Sequence, residues 1–135
     1  MMFCALSKAK GMIIKMKITV IGCGRWGSFI AWYLDKRGHQ VKLYGRETSK
    51  HMIEFMETRT NGLIELPDSI ELETKLSHCT DSEIIVISVN SQGLRSLMEE
   101  LSPYGLKDKT FVLCMKGIEI ETGDRLTEIL DEYIN

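Results

Sequence analysis

Lys17–Ile18–Thr19–Val20–Ile21–Gly22–Cys23–Gly24–Arg25–Trp26–Gly27 is the stretch that decides how this chain folds. Its first five residues are mostly apolar and β-branched, which is how a strand buried on both faces of a parallel sheet reads. The run stops at glycine, and from Trp26 the period changes. Trp26, Phe29, Ile30, Tyr33 and Leu34 recur at helical spacing, and Gly38 stands where a C′ glycine ends a helix. Gln40–Val41–Lys42–Leu43–Tyr44 then returns to period two. Strand, glycine turn, helix and strand within about thirty residues make a βαβ unit.

Outward from this unit the alternation continues. Met52, Ile53, Phe55 and Met56 predict a second helix ending near Asn61–Gly62. Residues 69–74 form a modest strand after Pro67, and 83–89 (EIIVISV) a strong one. A helix is predicted from Ser91, carried by Leu94, Leu97, Met98 and Leu101 and stopped at Ser102–Pro103. Residues 110–115 (TFVLCM) give another strand, and Leu126, Ile129, Leu130 and Tyr133 a last helix. The expected fold is α/β: a Rossmann-type, doubly wound, mainly parallel sheet in three αβα layers. Residues 16–135 carry it. Residues 1–15, interrupted by Lys8, Lys10 and Lys15 before any unbroken apolar run forms, are expected to be an extension outside the fold.

Composition narrows the classes of function. A chain of 135 residues with 44% apolar residues buries one core of ordinary size. Its net charge of −2 offers no basic field for nucleic acid and no cationic stretch for a membrane surface. An anion must therefore be held by local geometry. Cys4, Cys23, Cys79 and Cys114 are spread with no C-x-x-C spacing, so thiols in a reducing, cytoplasmic setting are expected. His78–Cys79 has no third ligand nearby, and no metal site is expected.

The glycine run supplies the local geometry. Gly22 permits the turn out of the strand, Gly24 lets the backbone approach a pyrophosphate, and Gly27 lets the helix lie close to the sheet. The free N–H groups of the helix's first turn then face the anion. A βα turn that merely needs glycine explains one or two of the three, not their spacing. After the second strand comes Tyr44–Gly45–Arg46–Glu47. A carboxylate at this strand end favours NAD, whereas the Arg46 guanidinium suits a 2′-phosphate. NADPH is therefore favoured over NADH. Glu47 stands one place late for the NAD role, and a solvated arginine at a strand end is the plainer alternative.

Four segments together resemble the bacterial NAD(P)-dependent glycerol-3-phosphate dehydrogenases, over essentially Met16 to Asn135. They are the loop ITVIGCGRWGS, the run Gly38–His39–Gln40–Val41–Lys42–Leu43–Tyr44–Gly45–Arg46, the run Val89–Asn90–Ser91–Gln92, and Met115–Lys116–Gly117–Ile118–Glu119 with Thr122–Gly123 beyond. The resemblance implies that Gly22, Gly24, Arg25, Trp26, Gly27 and Ser91 meet the cofactor and that Arg46 meets its adenosine end. It places Lys116 near both nicotinamide and substrate. A lysine at the C-terminal end of a parallel strand points to the crevice where such sheets bind ligands, and its ammonium can hold a phosphate or polarise a carbonyl. The implied substrate pair is dihydroxyacetone phosphate and sn-glycerol 3-phosphate, for phospholipid synthesis, with a homodimer as the family's full-length arrangement.

Departures from the family pattern carry expectations of their own. Asn90 replaces a proline and is expected to loosen the turn after the fourth strand; Met115 replaces a threonine. Residues 61–67 (NGLIELP) alter and shorten the family's N-x-x-Y-L-P loop at the cleft edge. The family's catalytic lysine belongs to a second, helical domain, so no residue here is nominated as catalytic, and the 135-residue chain alone is expected to be inactive. Two other readings are a ketopantoate-reductase-type domain, which shares the glycine loop but lacks the K-G-I-E and T-G pair, and a non-catalytic nucleotide-binding module or truncated product.

Overall fold

The computed structural model describes residues 14–134. Most of the proposed extension, residues 1–13, lies outside the described residues. Five strands form one wholly parallel sheet: β1 (Lys17–Ile21), β2 (Gln40–Tyr44), β3 (Glu71–Glu73), β4 (Ile84–Ile87) and β5 (Thr110–Leu113), in the order β3-β2-β1-β4-β5. The strand order reverses between β1 and β4, so the crevice outside their carboxyl ends is the natural ligand position of such a sheet.

Alternation along the strands divides the core in two. Ile18, Val20, Val41, Leu43 and Val86 pack with α1 (Arg25–Lys36) and α2 (Lys50–Thr58). Ile21, Ile85 and Ile87 pack with α3 (Leu94–Leu101) and α4 (Leu126–Ile134). Helices thus cover both faces, which is why β1 and β4 read as continuous apolar runs. Thr19 is the polar exception in β1, and its buried hydroxyl bonds the Ser82 hydroxyl at 2.5 Å.

Helix ends follow local chemistry. Gly38 takes φ +95° while its N–H bonds Asp35 O and the His39 N–H bonds Leu34 O, the paired closure that ends α1 as expected. His39 is buried, and its Nδ1 accepts from the Met16 N–H at 3.3 Å, fastening the start of β1. Ser49 caps α2. That helix stops at Thr58 rather than near Asn61, because Arg59 turns left-handed at φ +62° and its Nη1 bonds Pro67 O and Ile70 O. The third helix likewise begins later than Ser91: residues Ser91–Gly93 form a 3-10 turn ahead of it.

One helix has a narrower buried face than its apolar letters suggest, and one expectation needs correction. Trp26 and Phe29 lie at helical spacing yet are not core; they are 46% and 38% exposed and stack on each other at 5.6 Å. The apolar face of α1 is carried instead by Ile30, Ala31 and Leu34. Asn90 does not loosen its turn. Its side-chain oxygen accepts from the Gln92 N–H at 2.9 Å and caps the turn it opens.

Candidate functional site

The glycine turn joins β1 to α1 at the crevice. Gly22 has φ +117°, and a Cβ there would sit 2.0 Å from the Ser88 carbonyl oxygen. Its N–H bonds Tyr44 O while the Ser88 N–H bonds Ile21 O, so the turn is held between the ends of β2 and β4. A Cβ on Gly27 would lie 1.9 Å from the Gly22 carbonyl oxygen. Gly27 therefore lets the helix close on the turn and on the end of the sheet, where Ser88 Cβ would stand 3.5 Å from the added atom. Gly24 differs from both. Its φ of −69° is ordinary, and a Cβ there would meet nothing within 4 Å.

Gly24 is also the N-cap of α1, and it supplies no side-chain cap; no acidic residue stands in the first turn. A helix start without side-chain cap or counter-charge, beside open space at a bare glycine, has donors and shape that suit an anion.

From this turn a cleft of about 330 Å³ runs between the ends of β1 and β2 and the start of α3. Gly22, Gly24 and Arg46 line it, together with Ser49, Asn90 and Leu97, which the sequence did not nominate. Cys23 lies at its floor; its buried thiol contacts the Ser49 hydroxyl at 3.6 Å, and burial pushes that thiol's pKa up. Arg46 Nη2 bonds Glu100 Oε1 at 3.1 Å, and this carboxylate holds the guanidinium more firmly protonated. Glu47, exposed beside Arg46, is not part of the lining. A broader hollow of about 650 Å³ between α1 and residues 58–68 contains no glycine turn.

Arg25 and Trp26 open α1 with exposed side chains outside the lining. Ser91 and Lys116 belong to a neighbouring unit beyond β4 and β5. Gly117, at φ +120°, brings its backbone against Ser91; a Cβ there would lie 3.4 Å from the hydroxyl. Lys116 is exposed. The segment carrying it is held by two side chains, one from the 3-10 turn before α3 and one from α3. Gln92 donates to Ile118 O at 2.8 Å and accepts from the Ile120 N–H at 2.9 Å. Arg95 meets the Glu119 carboxylate through Nε and Nη2, both at 2.9 Å, and Glu132 through Nη1 at 2.6 Å. Thr122 donates to Glu119 at 2.6 Å. These bonds from Arg95 and Thr122 draw the Glu119 pKa down. Gln92, Glu119 and Thr122 were visible only as motif letters; their contacts explain why those letters occur together.

The 61–67 loop is ordered by its own bonds. Asn61 Oδ1 accepts from the N–H groups of Leu63 and Ile64, and Asn61 Nδ2 reaches the Ser28 hydroxyl at 3.4 Å. His78 bonds Glu73, and Cys79 is fully buried with its pKa pushed to about 12 by burial. Among the described residues, no three His, Cys, Asp or Glu side chains gather to hold a metal, and no helix is long and apolar enough to cross a membrane.

Known proteins agree with this architecture. A glycerol-3-phosphate dehydrogenase [NAD(P)+] from Thermoanaerobacter sp. is 37% identical over 124 residues, covering 89% of this chain and 37% of that protein. One from Exiguobacterium sp. is 38% identical over 122 residues, covering 87% and 36%. The chain thus spans little more than a third of these relatives. The crystal structure of a glycerol-3-phosphate dehydrogenase from Coxiella burnetii superimposes with a TM-score of 0.79 at 22% identity, over 89% of this chain and 38% of that one; it supports the fold. Residues 17–135 match the family model described as NAD-dependent glycerol-3-phosphate dehydrogenase N-terminus, and the chain belongs to that family.

Proposed function

We propose that this chain is the cofactor-holding domain of an sn-glycerol-3-phosphate dehydrogenase, which moves hydride between NAD(P)H and dihydroxyacetone phosphate. The observation that carries the reading is the uncapped start of α1 beside Gly24, the one glycine of the three whose missing Cβ no protein atom requires. Its bareness has a use when a pyrophosphate occupies that space. The fit extends to the adenosine end, where Arg46 lines the cleft with a guanidinium suited to a 2′-phosphate.

A bound nicotinamide supplies the hydride. The chain's own residues bind and orient: the N–H groups following Gly22 and Gly24 hold the pyrophosphate, with Arg25, Trp26 and Gly27 in the same turn. Arg46 meets the adenosine ribose. Lys116, on the segment held by the Gln92 and Arg95 clamp, is suited to the substrate's phosphate or its carbonyl oxygen, with Ser91 packed near the adjoining Gly117. No residue of this chain is assigned as proton donor, and the 135 residues alone are expected not to turn over. Buried Cys23 and Cys79 fit a reducing, cytoplasmic compartment.

A chimera tests this reading. The chain replaces the matching segment of the Thermoanaerobacter relative, and reduction of dihydroxyacetone phosphate is followed by loss of NADPH absorbance. Activity that falls at least tenfold in Lys116→Met supports the assignment. A folded chimera that binds NADPH but reduces ketopantoate instead of dihydroxyacetone phosphate refutes it.

A further inference from the structure

The end of β2 offers a cation where an NAD site has a carboxylate, yet the carboxylate is present nearby from another element. Glu100 stands on α3, one turn beyond Leu97, which lines the cleft. Helical side chains lean toward the N-terminus, so Glu100 covers the turn that holds Leu97. Its Oε1 lies 3.1 Å from Arg46 Nη2, and the two side chains are 45% and 60% exposed. Glu47, next to Arg46 in sequence, takes no part in the cleft.

From this arrangement we infer that Glu100 is the residue that sets the balance between NADH and NADPH, in concert with Arg46. The inference rests on the dinucleotide reading above and goes beyond it, because the pairing lies across the crevice and no spacing rule finds it. Two ligand chemistries meet the pair differently. A ribose 2′-hydroxyl can donate to the Glu100 carboxylate while the ion pair stays intact. A 2′-phosphate needs the guanidinium, must take it from Glu100, and is repelled by the carboxylate left beside it. An exposed pair is a weak latch and yields to a doubly charged competitor. The arrangement therefore admits both cofactors and lowers the preference for NADPH that Arg46 alone would give.

Binding constants for NADH and NADPH, measured on the 135-residue chain by nucleotide fluorescence at fixed ionic strength, test the assignment. In Glu100→Gln the ratio of the NADH to the NADPH dissociation constant is expected to rise about fivefold, with NADPH binding tighter. Arg46→Met is expected to move the ratio in the opposite direction. Unchanged thermal melting of Glu100→Gln separates this effect from a loss of fold, and a Glu100→Lys variant with a larger rise confirms the sign. Binding of both nucleotides with a ratio unmoved by Glu100→Gln overturns the inference and leaves the dinucleotide reading standing. Failure of the wild-type chain to bind either nucleotide overturns both.

Discussion

Position 24 allows stability and cofactor binding to be driven in opposite directions. Gly24 is the N-cap of α1 at φ −69°, and an added Cβ meets nothing within 4 Å. Serine is a far better N-cap than alanine and slightly better than glycine. Gly24→Ser is thus expected to gain a few tenths of a kcal/mol, and Gly24→Ala to lose about 0.5–1 kcal/mol, or roughly 2–6 °C in melting temperature. Both place atoms where the pyrophosphate would lie. Overpacking of a close contact costs about 1–3 kcal/mol, so NADPH affinity should fall at least about fivefold in both variants. Gly22→Ala behaves otherwise. Its Cβ would meet the Ser88 carbonyl oxygen at 2.0 Å with φ at +117°. Positive φ costs about 1–2 kcal/mol, and the overlap about 1–3 more. The domain itself should weaken by roughly 2–5 kcal/mol, a large share of a typical total of about 5–15. Circular dichroism melts and NADPH fluorescence titrations on the same preparations give both readouts. Should Gly24→Ser bind NADPH as tightly as the wild type, the pyrophosphate does not sit on this turn.

Other outcomes follow from the same contacts. Burial, aided by Arg37, lowers the His39 pKa below 6.5; its neutral form is favoured by folding, so stability present above pH 6.5 should decline as pH falls through the folded pKa, and His39→Asn, which keeps an acceptor near Nδ1, should flatten that decline in melts between pH 7.5 and about 5.5. Glu119, with its pKa drawn below 4.5 by Arg95 and Thr122, contributes stability that is present above pH 4.5 and lost as pH falls further; Arg95→Gln should shrink this acid limb, and an unaltered limb would show the clamp to be idle. Gln92→Ala should speed amide exchange at Ile120 and neighbouring residues without changing exchange in β1, measured by hydrogen–deuterium mass spectrometry. The Cys79 thiol, fully buried with a pKa near 12, should resist a thiol reagent at pH 8 until the chain unfolds, and prompt labelling of the native chain would contradict its burial.

Much of the fold was legible because β1 and β4, buried on both faces, carry nearly continuous apolar runs, and because β2 alternates at period two between Gly38 and Gly45. Gln40–Tyr44 coincides with its expected strand residue for residue. Boundaries failed where a side chain or a single backbone angle ended an element. Arg59 stops α2 through a left-handed conformation normally left to glycine or asparagine, and its letter gives no warning. Trp26 and Phe29 repeat at helical spacing yet face solvent, since periodicity reports that a stripe exists and not how wide it is.

The site divides in the same way. Gly22, Gly24 and Arg46 were readable because glycine spacing and the end of β2 are local features. The Asn90 cap could have been found from its place before Ser91–Gln92–Gly93, an Asx turn by residue type. Glu100 could not, because it reaches Arg46 across 54 residues of sequence. Arg95 and Glu132 are similarly remote, separated by 37 positions. Long-range pairing of charged side chains depends on where α3 and α4 pack, which the apolar pattern sets only to the level of a face.

In the proposed function a nicotinamide dinucleotide lies across the turn from Gly22 to Gly27 with its adenosine end at Arg46. Amide chemical-shift mapping of the isotope-labelled chain during NADPH titration tests it most directly. The largest shifts are expected at the N–H groups of Gly22 to Gly27, smaller ones at Gly45 and Arg46, and little change in the 58–68 hollow. Shifts centred on that hollow, or none at saturating NADPH, would contradict it.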